Sequence, residues 1–126
     1  IKTHNRAEML DITAEVSQAV KNSGVETGWV TVFVPHTTAG VTINENADPD
    51  VVADVLVRLE KMAPHDAGYR HTEGNSDAHI KSILTGASQS VIIDNGKLVL
   101  GTWQSIFFCE FDGPRKRNVL VKITSG

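Results

Sequence analysis

Apolar residues follow two rhythms along this chain. Between Ile12 and Val20, and again between Val51 and Met62, they return every three to four positions, the period of a helix that buries one face. Elsewhere they come in short runs rich in β-branched and aromatic residues, such as 29–34 and 105–111, which read as strands. The first helix is expected to take Asp11 as N-cap, to face inward with Ile12, Val16, Ala19 and Val20, and to stop at Ser23-Gly24. A strand follows over 29–34, breaks over 35–40, and extended structure resumes over 41–44. Asp48-Pro49 is a strong start for a second helix, with an N-cap acid before a proline whose missing N–H costs nothing there. Its stripe is Val51, Val52, Val55, Leu56, Leu59 and Met62, and Pro64 ends it. A polar loop over 64–76 then leads into a short helix over 77–85, capped by Asn75 or Ser76 and closed by Gly86. Strands over 90–94 and 97–100 flank Asn95-Gly96, a pair that favours the tight type I′ hairpin turn. The last two strands, 105–111 and 118–124, are joined through Asp112-Gly113-Pro114.

Strands and helices mix without regular βαβ alternation, which points to an α+β fold. The expected architecture is a mostly antiparallel sheet or sandwich packed against two longer helices and one short helix. A chain of 126 residues is expected to form one domain with a real core, needing neither disulfide nor structural metal. No repeat or linker divides it. The single cysteine, Cys109, sits mid-strand among apolar neighbours and reads as a buried hydrophobe. The sequence begins at Ile1 rather than methionine, so a short leader or first residues are expected to lie outside it. The formal net charge is −3, and the one basic cluster, Arg115-Lys116-Arg117, flanks a turn without interleaved aromatics. That pattern argues against nucleic acid as a partner. No apolar run approaches the roughly 20 residues a bilayer span requires, so no membrane association is expected, and the expected location is the cytoplasm.

Glu110 is the most informative residue. Alternation along 105–111 puts Ser105, Phe107, Cys109 and Phe111 on one face, and Ile106, Phe108 and Glu110 on the other. A carboxylate among such neighbours needs a cation, a metal or hydrogen-bond donors, and Arg115 past the turn is the nearest cation in sequence. A structural Glu–Arg pair and a functional acid are both open readings of this stretch. Three histidines stand where the chain turns: His36 after Pro35, His71 in the polar loop, and His79 in the short helix. Neutral imidazoles with a carboxylate suit a divalent metal such as zinc, although no known zinc spacing is present. Structural hydrogen-bonded histidines are the alternative. Thr37 and Thr38 can offer hydroxyls to an anion, or serve only as turn residues. The helix start at Asn75-Ser76 offers free N–H donors suited to phosphate, with Asp77 competing in the first turn. Gln104 begins the strand that carries Glu110 and is a candidate for the same cleft.

Taken in order, His36-Thr37-Thr38, residues 44–49, His71, residues 74–79, Gly101-Thr102-Trp103-Gln104 and residues 110–115 closely resemble the YjbQ family. The resemblance covers essentially the whole chain. It implies a compact α+β domain, a homotrimer with sites near subunit boundaries, and a secondary thiamine-phosphate synthase activity. That reaction joins a pyrimidine diphosphate to a thiazole phosphate and releases pyrophosphate. The resemblance carries His36, His71 and His79 over as site residues, with Asn75, Asp77, Gln104, Glu110 and Arg115 as neighbours. The resulting expectation is a metal-dependent enzyme acting on a small phosphorylated molecule. In it His36, His71 and His79 hold a divalent metal (zinc or magnesium), Glu110, Asp77 and Arg115 carry the chemistry, and Thr37, Thr38, Asn75 and Gln104 bind substrate. The alternative is a trimer that binds a phosphometabolite or metal without turning it over.

Overall fold

The structure, a computed structural model, describes all residues from 1 to 126. In chain order the elements are β1 (Glu8–Asp11), α1 (Thr13–Ser23), β2 (Gly28–Phe33), β3 (Ala39–Glu45), α2 (Pro49–Met62), α3 (Ser76–Thr85), β4 (Ser88–Asp94), β5 (Lys97–Leu98), β6 (Gln104–Glu110) and β7 (Leu120–Ser125). They form two antiparallel sheets, ordered β1-β6-β3 and β5-β4-β2-β7, with three helices, so the fold is α+β as the patterning implies.

The core sits between the sheets. Val30 and Val32 of β2, Val91 and Ile93 of β4, and Ile106 and Phe108 of β6 meet there, and α1 closes one side with Val16 and Val20. The opposite face of β6 is covered as well: Phe107, Cys109 and Phe111 pack with Ala78 of α3 and with Val52 and Leu59 of α2. The face assignment read from alternation therefore holds, and burial on both sides makes β6 the best-shielded strand of the fold. Cys109 lies in this second layer, where burial pushes its thiol up to about 12 and leaves it unreactive.

Several boundaries follow the expected chemistry. Asp48 caps α2 by accepting from the N–H of Asp50, with Pro49 at the first helical position. Gly24 ends α1 in the left-handed conformation at φ 72°. Asn95 and Gly96 both adopt positive φ, as a type I′ turn requires. Three readings need correction. Ile12, not Asp11, holds the N-cap position of α1, because the Asp11 carboxylate bonds the N–H and hydroxyl of Thr13 one residue early. Asn75 stands at the N-cap of α3 without capping its N–H groups: Nδ2 donates to Asp112, and Oδ1 accepts from none of them. The break over 35–40 does not interrupt one strand. It carries the chain from β2 in one sheet to β3 in the other, where β3 pairs with β6.

Candidate functional site

This crossing builds the site. The end of β2, the start of β3 and the end of β6 all lie at one end of the sandwich, and α3 begins beside them. Between them lies an open cleft of about 700 Å³. His36, His71 and His79 all line it, although 35 residues of chain separate His36 from His71. Thr37, Thr38, Asn75 and Arg115 line it too.

The floor of the cleft rests on a buried ion pair. Glu110 has no exposed surface, and its two oxygens are met by five donors. Oε1 accepts from the Thr3 hydroxyl and Arg117 Nε, both at 2.8 Å. Oε2 accepts from Arg117 Nη2 and from the N–H groups of Phe111 and Asp112. Burial alone would raise the Glu110 pKa, but the Arg117 guanidinium, the Asp112 N–H and the Thr3 hydroxyl together hold it below the usual carboxylate value. The cation beside Glu110 is therefore Arg117 and not Arg115. Arg115 closes instead onto Asp112, three residues back, with Nη2 2.9 Å from Oδ2 and Nε 2.7 Å from the backbone oxygen. Its half-exposed side chain leaves Nη1 with no acceptor in the chain.

Asp112 is the hub of the rim. Beyond Arg115 it accepts from Asn75 Nδ2 at 2.9 Å and from Arg6 Nη1 at 3.4 Å. Arg6 also reaches Asp77 at 2.9 Å, and Asp77 in turn holds the buried Lys81, which bonds Glu60 of α2. Burial opposes ionisation of Asp77, but the Lys81 and Arg6 cations outweigh it and keep its pKa low. The polar loop is tied at both ends: Glu60 accepts from the N–H of His65, and His65 Nε2 lies 2.8 Å from the Gly74 oxygen.

The histidines differ in state. His36 Nε2 accepts from the N–H of Asn118 at 2.9 Å, which places the proton of the neutral ring on Nδ1. Partial burial and the nearby Arg117 push its pKa below the usual imidazole value. His71 and His79 meet edge to face, with ring centres 5.6 Å apart, and His71 Nε2 lies 3.8 Å from a Glu73 oxygen. Imidazoles of this kind are metal donors in type. Yet no three His, Cys, Asp or Glu side chains converge to hold an ion, and the Nε2 of His36 is already committed. The side chains as folded do not make a preformed three-histidine metal site.

Seven of the ten candidate residues thus share the cleft: His36, Thr37, Thr38, His71, Asn75, His79 and Arg115. Three stand apart from its lining. Glu110 lies beneath it and is saturated, Asp77 is buried in its own ion pairs, and Gln104 sits at the far end of β6, accepting from the N–H of Gly101. Trp103 beside it is largely exposed. Sequence reasoning missed Arg117 and Asp112 as organising groups. Both lie within the 110–117 stretch, and the available signal was that Glu110 needs more than one donor.

A family profile described as "UPF0047 protein YjbQ-like" matches residues 1–126. The UPF0047 protein MJ1081 of Methanocaldococcus jannaschii is 55% identical over 98% of this chain and 89% of its own length. The UPF0047 protein YugU of Bacillus subtilis is 54% identical over 98% of this chain and 94% of its own. Among solved structures, an uncharacterised conserved protein of the YjbQ/UPF0047 family from Clostridium acetobutylicum superposes with a TM-score of 0.97 at 60% identity, covering 98% of this chain and 96% of that one. The chain belongs to the YjbQ-like UPF0047 family.

Proposed function

We propose that the histidine-lined cleft binds a small phosphorylated metabolite and acts on it as a transferase of the thiamine-phosphate synthase type. The observation that carries this reading is Arg115. Its guanidinium is pinned by Asp112 on one edge, while the other edge stays free at an open, polar cleft. A fork fixed in this way is pre-organised for phosphate oxygens. Thr37 adds an exposed hydroxyl, and His36 adds a neutral donor at Nδ1. In the condensation, the carbon–oxygen bond of the pyrimidine diphosphate breaks, pyrophosphate leaves with the electron pair, and the thiazole nitrogen forms the new carbon–nitrogen bond. Cations held at the leaving phosphates favour that step by stabilising charge that grows as the bond breaks.

This reading runs on the chain's own groups. Zinc or magnesium is tested separately: if the imidazoles of His36, His71 and His79 hold an ion, zinc titration of metal-free protein gives a saturable signal that His71→Ala and His79→Ala abolish. One observation favours a second reading, binding without turnover. The acids expected to move protons, Glu110 and Asp77, are fully buried and ion-paired. The two are separated by assaying product from the pyrimidine and thiazole precursors beside ligand-induced thermal stabilisation. Turnover that drops by about a hundredfold in Arg115→Ala, with the fold unchanged, supports the enzyme. Stabilisation without product supports the binding module, and neither response sinks the cleft as a phosphate site.

A further inference from the structure

Asn75 carries a polar atom that the protein does not use. The residue stands at the mouth of α3, lines the cleft, and is only 8% exposed. Its Nδ2 donates to Asp112 Oδ2 at 2.9 Å, and this contact fixes which way the amide faces. Flipping the amide would set Oδ1 against a carboxylate already held by Arg115 and Arg6, two acceptors facing each other. Oδ1 is therefore locked as an acceptor on the side of the amide away from Asp112. It is the one buried side-chain oxygen or nitrogen in the protein without a hydrogen-bond partner. A buried acceptor of this kind gains from any donor brought to it.

We infer that Asn75 Oδ1 reads a hydrogen-bond donor on the ligand, a hydroxyl or an amino group. The ligand class that follows is a phosphorylated compound with an O–H or N–H close to its phosphate. This rests on the proposed phosphate role of Arg115, which lines the same cleft and is bound to the same Asp112. The two residues are coupled through that carboxylate: Asp112 aims the guanidinium at one part of the ligand and the amide oxygen at another. Asn75 is then a specificity-determining residue. A ligand that lacks the donor keeps its phosphate contacts but leaves Oδ1 as it is in the free protein.

The test compares three probes by calorimetry: inorganic phosphate, glycerol 3-phosphate, which carries hydroxyls, and propyl phosphate, which has the same length and none. The native protein is expected to favour glycerol 3-phosphate over propyl phosphate by roughly three- to tenfold, the worth of one neutral hydrogen bond. In Asn75→Ala that preference collapses, read as the ratio of the two esters' affinities within the variant. Should the alanine variant fail to fold, side-chain amide NMR of the native protein reads the same contact. The Asn75 carboxamide resonances then move with glycerol 3-phosphate and stay put with propyl phosphate. Equal binding of the two esters, or a preference that survives in the variant, overturns the role of Asn75 and leaves the phosphate reading standing. Failure of all three probes to bind overturns both.

Discussion

At the scale of the residue, the Glu110–Arg117 pair decides what the cleft floor can do. A carboxylate with five donors has no free lone pair to take a proton from a substrate, so its work is to hold Arg117 and, through it, Thr38. Removing one member of such a buried pair leaves the other charge uncompensated. Glu110→Gln is expected to destabilise the fold by about 3–5 kcal/mol at neutral pH, measured by urea denaturation. The pH dependence has a definite sign. The folded pKa of Glu110 lies below its ordinary 4.5, so the unfolded chain binds more protons in acid. Stability from this group is therefore complete above about 4.5 and lost as pH falls through the lower folded value. The difference between Glu110→Gln and the parent should accordingly narrow under acid conditions, and a constant difference would refute the assignment. The sequence showed that Glu110 needed a partner, and strand alternation showed which face it occupies. It did not show which arginine. Nearness along the chain favours Arg115, but the turn folds that side chain back on Asp112, and only the re-entry of the chain brings Arg117 underneath.

At the scale of the element, the informative feature is the passage from β2 to β3. Alternation and β-propensity identify strands without saying which sheet they join, because both sheets present the same apolar face to a shared core. The start of α2 was easier to read, since Asp48-Pro49 carries its own chemistry. The cleft was less legible, because it depends on where β3 lands rather than on any local pattern. Gly40 marks that landing. A Cβ there would lie 2.2 Å from Thr85 Oγ1 and 2.7 Å from the Gly86 oxygen, while the next residue, Val41, donates its N–H to that same oxygen. The end of α3 is thus pressed directly onto β3. Gly40→Ala is expected to cost about 1–3 kcal/mol in thermal or urea unfolding. Adding Thr85→Ser, which keeps the Oγ clash, should recover little, and Thr85→Ala should recover part, because the backbone oxygen of Gly86 cannot retreat.

At the scale of the whole molecule, one face stands out as uncovered. The outer side of the β5-β4-β2-β7 sheet has no helix over it. Trp29 sits opposite Ile92 there, and Phe33 opposite Leu120, with exposures of 44%, 64%, 42% and 57% in that order. Phe33 also lines the cleft, so a partner seated on this face would stand beside the site. If the homotrimer implied by the family resemblance forms, this apolar face is a surface it would bury. Sedimentation should give a trimer for the parent chain and a smaller species for Ile92→Lys, and a monomeric parent would remove the idea. No helix is long and apolar enough to cross a membrane.

The double cover over β6 has a consequence for how the site behaves in time. β6 is paired on both edges and packed on both faces, so the amide hydrogens of Phe107, Phe108 and Cys109 are expected to exchange with solvent only when the entire chain opens. The loop over 64–75 is mostly exposed and held by a few polar bonds, so it can open by itself. The base of the cleft is therefore expected to keep its shape when the loop carrying His71 opens, so a ligand can enter without the core having to unfold.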